Sequence, residues 1–443
     1  MDKHQSELLE KIRQQFDSAP YPRAPLEDFP RDIQYLYTQN FVTPYYLRNQ
    51  KVINTEGKVI LDAACGTGYH TLGLQVANPG AKIVGTDISE ESVKLARTRL
   101  DYHGFKDVEF HALAIEELPK LGLEFDYIYA QEVLYLLPDP IAGLQAMKAV
   151  LKPDGIIRTN LNSSLQREHY YRAQEVFKMI GLFDRNPKEA EIAQVRQTMK
   201  ALKDDALLKM NTWIPSQEND EEWFLMNYLI QGDKGFTVPE MFAALRSADL
   251  EFINMVAWPF WELTSLFVEP ENLPVFLAMS LPSLSQEEKL HLFELLHPLH
   301  RLLDFWCGHP DAASPVVPPG EWTDADWQNV KVYLHPQMQA SEPREMLLAC
   351  ANEIKIFPIS PYLPFVTDPT LVMDSAVAAC IVPLLDSPQS MPSLVEYWQK
   401  IRPLQPDSLQ PQNPETAFET VKQILTTLEQ LGYVLLESSL GEG

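Results

Sequence analysis

The segment VILDAACGTGYHT carries Asp62 up to Gly66-Thr67-Gly68, where an apolar run gives way to a helical pattern. Glycines at such a turn free the backbone dihedrals and let a ligand approach the main chain. Asp87 closes the next apolar run, KIVGTD, nineteen residues after Gly68. Doubly wound folds place a carboxylate there to accept hydrogen bonds from both hydroxyls of a ribose. The pairing points to an adenosine-containing ligand.

Two departures from the dinucleotide pattern G-x-G-x-x-G narrow that ligand. Thr71 occupies the place of the third glycine, which would hinder the tight helix–strand approach at a pyrophosphate. Asp62 sets a negative charge beside the loop, unfavourable to a pyrophosphate and suited to the ammonium and sulfonium of S-adenosylmethionine. His70 follows the loop and either approaches the methionine carboxylate or serves the helix start.

The elements that must position these residues follow in alternation from Lys58. Strands are expected at 59–64, 82–87, 108–113, 125–130 and 155–161, with helices at 68–77, 90–103 and 139–150. Apolar strands separated by helices form a mainly parallel sheet covered on both faces, an α/β Rossmann-like core. The run Ala130-Gln131-Glu132-Val133-Leu134-Tyr135 then lies at the carboxyl edge of the fourth strand, where such sheets bind ligands. Glu132 and Tyr135 are candidates to orient a second substrate; as structural residues they are a solvated helix start and a core aromatic.

Four motifs, DAACGTG, GTDIS, FDYIYAQEVL and LKPDGII, resemble the successive motifs of class I S-adenosylmethionine-dependent methyltransferases, over roughly 55–161 and 236–258. The resemblance implies that Asp62, Ala63, Gly66 and Gly68 contact the methionine part. Asp87 and Ile88 would hold ribose and adenine, Ala114 and Ile115 would edge the adenine, and Gln131 would lie beside the sulfonium. Many members carry Asp at the position of Ala114, so here the adenine amino-group contact is either missing or supplied by a backbone carbonyl. Members often fold an N-terminal segment over the cofactor, which makes residues 1–50, with Tyr21 and Thr43, an expected lid. With Gln131 beside the donor, Gln131, Glu132 and Tyr135 are the catalytic candidates.

The remaining chain exceeds what a catalytic core needs. Of 443 residues, 51–161 plus 236–258 are expected to form the core, 162–235 a helical insertion, 259–345 a helical middle region and 346–443 a small C-terminal unit of winged-helix type. Residues 285–306 read as one buried helix kinked at Pro298. Helices are expected near 370–384, 392–402 and 415–431, with a strand at 433–436. The PYP segment, the core, the Leu-rich middle and the ending VPLLDSPQSMPSLVEYW resemble bacterial methyltransferases with a regulatory-type C-terminal domain, some of which methylate protein lysines. The wording also resembles cyanobacterial members, the phycobiliprotein asparagine methyltransferase among them.

Composition bounds the partners. Thirty-six basic against sixty-one acidic side chains leave a formal charge of −25, which repels phosphate backbones and anionic lipids, so neither nucleic acid nor membrane is expected as a partner. The first residues hold no apolar stretch of signal type and no later run is long enough to span a bilayer, giving the expectation of a cytoplasmic protein. His291, His297, His300, Cys307 and His309 fit no ligand spacing, and no metal is expected. Three functions stay open: methylation of a protein side-chain nitrogen on lysine or asparagine, methylation of a small molecule at nitrogen or oxygen, and a silent S-adenosylmethionine-binding module. A protein substrate is the first of these, with a homodimer as a further expectation.

Overall fold

The strand-forming runs are apolar on both sides, and the computed structural model, which describes residues 3–184, 186–312, 316–353, 355–366, 370–405 and 409–438, sandwiches them between helices. The strands of the main sheet are β1 (Val59–Ala63), β2 (Lys82–Asp87), β3 (Glu109–Ala112), β4 (Phe125–Ala130), β5 (Leu151–Ser163), β6 (Gly235–Phe236), β7 (Glu251–Met255) and β8 (Leu302–Gly308). Their order is β3-β2-β1-β4-β5-β8-β7, with β6 beside the end of β5. β1 to β6 pair in parallel, whereas β8 runs antiparallel to both β5 and β7. Alternate residues feed two apolar layers: Ile60, Tyr127, Tyr129 and Ile156 on one face, Leu61, Ile128, Ala130 and Ile157 on the other. The mainly parallel Rossmann-like core is therefore as the alternation requires.

The helices that bear on the site are α1 (Lys3–Ser18), α2 (Ile33–Gln39), α3 (Val42–Asn49), α4 (Tyr69–Ala77), α5 (Glu90–Tyr102), α6 (Pro140–Lys148), α7 (Glu168–Met179), α8 (Glu189–Ala201), α9 (Leu207–Thr212), α10 (Glu221–Tyr228) and α11 (Val238–Ser247). α7 to α10 bury Phe177, Val195, Met199, Phe224 and Tyr228 in a separate apolar cluster. The insertion thus has its own packed interior and hangs over the carboxyl ends of β4 and β5.

One expectation fails in the middle of the chain. Residues 285–306 are not a single kinked helix: the helix Gln286–Leu296 ends at His297, and Leu302–Gly308 is the strand β8 at the centre of the antiparallel part of the sheet. Pro298 stops a helix here because it offers no N–H and clashes with the preceding turn. The Leu-rich stripe hid the change of period, although Leu302-Leu303-Asp304-Phe305-Trp306 has strand-type composition. The core therefore needs a third piece from within 259–345, a region that is not wholly helical.

The C-terminal unit also starts earlier than composition suggests. Val330–Leu334 (β9) is the central strand of a three-stranded antiparallel sheet with Gln389–Ser390 and Val434–Ser438. Helices Ser341–Glu353, Ser375–Ile381, Met391–Ile401 and Pro414–Gln430 cover it. α2 and α3 are tied to this unit: Tyr37 donates its hydroxyl to Gly432 O at 2.9 Å, and Tyr46 donates to Glu429 Oε1 at 2.8 Å. Among the described residues no helix is long and apolar enough to cross a membrane.

Candidate active site

Where β1 to β4 end, the chain must turn, and the turn after β1 is built from positive-φ residues: Ala64 at 64°, Gly66 at 50° and Gly68 at 80°. A side chain at Gly66 would put its Cβ 2.1 Å from Tyr21 O, so the strap 20–25 can lie on this loop only because the residue is glycine. Thr67 fastens the strap, donating its N–H to Tyr21 O at 3.0 Å and its hydroxyl to Pro22 O at 2.7 Å. Arg99 completes the clamp with bonds to Thr67 O, Pro25 O and Ala24 O. Gly68 has a different reason to be glycine: its Cβ would meet Ala96 at 2.8 Å, so it sets the approach of α4 to α5.

Asp87 sits at the end of β2 with both oxygens accepting main-chain bonds, Oδ2 from Gly66 N at 2.9 Å and Oδ1 from Ser89 N at 2.8 Å. Burial raises its carboxyl to about 6, against the pull of those two N–H groups. Asp62 lies behind the loop, 2% exposed, accepting the Thr71 hydroxyl at 2.6 Å. Burial raises it to about 7. Thr71, which breaks the dinucleotide pattern, is thus the partner that fixes Asp62.

His70 has its Nδ1 2.9 Å from the Tyr35 hydroxyl and 3.4 Å from that of Tyr129. Burial keeps both phenols protonated and holds the imidazole down to about 4, with the Arg158 charge acting in the same direction. A neutral ring accepting at Nδ1 carries its proton on Nε2, a tautomer assigned from this bond. His70 can therefore offer one N–H donor to an anionic group.

The other end of the site is a polar network on β4, β5 and β8. Glu132 takes a left-handed backbone (φ 58°), stabilised by its N–H donating to Asn160 Oδ1 at 3.0 Å. Its carboxylate accepts the Tyr135 hydroxyl at 2.6 Å and pairs with both ends of the Arg301 guanidinium. Gln131 is held by Asn160 Nδ2 at 2.5 Å and itself donates to Asp304 Oδ1 at 3.0 Å. From the insertion, Arg167 reaches Asn227 and pairs at 3.2 Å with Asp233, whose side chain is fully enclosed.

These pieces surround one cavity of about 510 Å³, within the range of small-molecule and cofactor sites. Tyr21, Gly66, His70, Asp87, Ile88, Ala114, Ile115, Gln131, Glu132 and Tyr135 all line it. Leu9, Ile12 and Phe16 of α1 close one side, and Trp223 and Met226 of α10 another. Asp62, Ala63 and Gly68 are buried just outside the wall. Thr43 is elsewhere: its hydroxyl bonds His335 Nε2 at 2.9 Å in the seam with the C-terminal unit, so among the described residues up to 50 only those of α1 and the strap reach the cavity.

Sequence reasoning missed Arg301, Asn160, Asp304 and Arg167. Arg301 and Asp304 were hidden because 285–306 reads as helix; a charged residue just before a strand next to β5 would have been the signal. The histidine cluster does not converge on one point: His291 pairs with Glu294, His300 stacks on Trp261, His309 bonds Leu151 O, and Cys307 is buried in β8. Among the described residues no group of three or more His, Cys, Asp or Glu is placed to hold a metal ion.

Comparison with known proteins bears on the activity. Residues 54–226 match the family described as Methyltransferase domain. This stretch is a methyltransferase domain. With it the chain is an S-adenosylmethionine-dependent methyltransferase, and the glycine loop, Asp87 and the cavity they line suit that cofactor. The ubiquinone biosynthesis O-methyltransferase of Actinobacillus pleuropneumoniae is 33% identical over 113 residues, 24% of this chain and 47% of that protein. Its counterpart in Bordetella avium is 36% identical over 101 residues, 23% of this chain and 41% of that protein. The chain spans less than half the length of these two relatives. An uncharacterized protein of Synechococcus sp. is 26% identical over 315 residues, covering 70% of this chain and 73% of its own. The structure of PKMT2 from Rickettsia typhi in complex with AdoHcy superposes with a TM-score of 0.60 at 17% identity, across 95% of this chain and 78% of that one. The two share a fold.

Proposed function

We propose that this methyltransferase acts on a side-chain nitrogen of a protein, lysine or asparagine, presented through the mouth framed by the insertion. The observation that carries the reading is the charge of the wall: Asp87, Glu116, Glu132, Asp220 and Glu222 against Arg167 and Arg301. Arg167 is already paired with Asp233 and Arg301 with Glu132, so the free balance is acidic. Asp220 is exposed and Glu222 half-buried, at the rim where a polypeptide side chain would enter. An acidic rim attracts the ammonium of lysine, and Trp223 beside it offers an aromatic face to the same cation.

In this reading S-adenosylmethionine supplies the methyl group. Asp87 accepts from the ribose hydroxyls, His70 Nε2–H meets the methionine carboxylate, and Gly66 leaves the main chain open to the methionine part. Asp62, Ala63 and Gly68 support the loop from behind, and Ile88, Ala114 and Ile115 enclose the base. Tyr21 and α1 exclude water from above. Gln131, held at both ends of its amide, sits between the two halves; Glu132, fixed by Tyr135 and Arg301, accepts the proton that the nitrogen must lose before or during attack. Alignment by a rigid wall accounts for much of the rate in such a displacement.

A second reading has one observation in its favour. Leu9, Ile12, Phe16, Val133, Leu136, Leu137, Met226 and Ile230 make much of the wall apolar, which suits a small hydrophobic acceptor. Transfer of labelled methyl from S-adenosylmethionine into a native lysate separates the two. Label in the macromolecular fraction, recovered on lysine or asparagine after digestion, is expected. Label confined to the small-molecule fraction would replace the first reading by the second.

A further inference from the structure

His70 lines the cavity, but the group that holds its ring lies behind the wall. Its Nδ1 faces two hydroxyls, that of Tyr35 at 2.9 Å and that of Tyr129 at 3.4 Å. A nitrogen that accepts from them leaves the ring proton on Nε2, at the far edge of the imidazole. Among the described residues Nε2 has no hydrogen-bond partner, and it is not sealed from solvent. The half-buried ring therefore turns one edge to α2 and the other to the cavity.

The approach of Tyr35 is built into α4. Glycine is disfavoured inside a helix, yet Gly73 stands one turn after His70, on the same face. A Cβ there would lie 2.7 Å from the Tyr35 hydroxyl oxygen and 2.8 Å from its Cε1, so a larger residue would push the phenol away. α2 is fixed on its other sides as well. Gln34 donates to Ser360 O at 2.9 Å, while Tyr37 stacks on His335 at 3.9 Å and bonds Gly432 O, all three partners in the C-terminal unit. Asn40 donates to Ala77 O at 2.6 Å, at the far end of α4. Tyr35 is thus set against His70 by anchors that do not line the cavity.

We propose that Tyr35 is a positioning residue for cofactor binding, its hydroxyl holding the His70 ring so that Nε2–H is presented to the carboxylate of the methionine part. This rests on the reading that His70 meets that carboxylate. It gives α2, and through it the C-terminal unit, a part in selecting ligands that carry one. A ring free to turn would offer its donor in only some orientations, and in the other tautomer it would oppose a lone pair to the carboxylate.

Calorimetric titration of the full chain compares S-adenosylhomocysteine with its decarboxylated counterpart, which keeps the adenosine, the sulfur and the ammonium. The wild-type protein is expected to prefer the ligand with the carboxylate by about tenfold or more, the worth of a hydrogen bond to a charged group. His70→Ala should cut that preference to about twofold or less. Tyr35→Phe, which keeps the ring and is checked for folding by its thermal transition, should cut it by about threefold or more, through S-adenosylhomocysteine alone. Nitrogen-15 NMR of the wild-type protein, with the His70 signals assigned by their loss in His70→Ala, reads the tautomer directly and should show Nε2 protonated and Nδ1 bare. A preference kept in His70→Ala would overturn the reading of His70 and the proposal with it. A preference lost in His70→Ala but kept in Tyr35→Phe would overturn the proposal alone. So would a protonated Nδ1, or equal weakening of both ligands in Tyr35→Phe, which is what a purely structural role predicts.

Discussion

Replacing Asp87 by alanine removes the carboxylate assigned to the ribose, and the structure shows two separate consequences. The first is loss of a charged acceptor for the ligand hydroxyls, on the order of 1.5–3 kcal/mol, or roughly tenfold to more than a hundredfold in affinity. The second is release of Gly66 N–H and Ser89 N–H, which the carboxylate now binds at 2.9 and 2.8 Å. An unpaired buried N–H costs about 1–3 kcal/mol, and less where water can enter from the cavity, so the variant should also melt at a lower temperature. Calorimetric titration with S-adenosylhomocysteine at pH 8, where the native carboxyl with its value of about 6 is ionised, isolates the binding part. Asp87→Asn should fall between, since its amide oxygen can still accept one N–H. A folded Asp87→Ala protein that binds as tightly as the native one would refute the assignment.

Other substitutions separate the parts of the site. Gly66→Val should abolish cofactor binding, because its Cβ would lie 2.1 Å from Tyr21 O at a φ of +50°; titration at normal affinity would reduce the loop to a tight turn. Arg301→Gln should lower kcat on the acceptor by leaving Glu132 without its guanidinium partner, while leaving S-adenosylhomocysteine affinity within about twofold; parallel loss of cofactor affinity would place Arg301 outside acceptor positioning. Burial holds Asp62 up at about 7 and Asp87 at about 6, both above the ordinary carboxylate value. Their contribution to stability is fully present below the unfolded value near 3.8 and is lost as pH rises through about 6 and 7. A ligand with positive charge and hydroxyl donors favours the ionised forms, so binding should release protons between pH 5.5 and 7, and affinity should rise with pH across that window. Titrations in buffers of different ionisation enthalpy measure the release directly, and heats independent of buffer would contradict it.

The half of the cavity proposed for the cofactor was legible because its signals are local. A strand, a glycine turn and a carboxylate at the next strand end are read within one stretch of chain, and Gly66, Asp87, Ile88, Ala114 and Ile115 line one cavity. The half proposed for the acceptor is assembled from distant pieces. Asp304 lies in, and Arg301 just before, a strand inserted antiparallel between β5 and β7, and such a pairing leaves no mark in periodicity. Burial in the sheet made Leu302–Gly308 apolar enough to be taken for a continuation of the Leu-rich helix, when Pro298 ends that helix. Thr43 shows the reverse error: proximity in sequence to the strap suggested a lid residue, but tertiary contact with His335 draws α3 to the C-terminal unit.

The claim at the centre of this account is that one cavity, closed by α1 and the insertion, holds the cofactor against β1 to β3 and leaves the Glu132–Tyr135–Arg301 end for the acceptor. A crystal structure of the chain with S-adenosylhomocysteine tests it most directly. The account predicts the ribose hydroxyls on Asp87, the base between Ile88 and Ile115, and the sulfur directed at Gln131 and Glu132. A ligand lying along the Arg301 end, or one whose ribose makes no contact with Asp87, would contradict it.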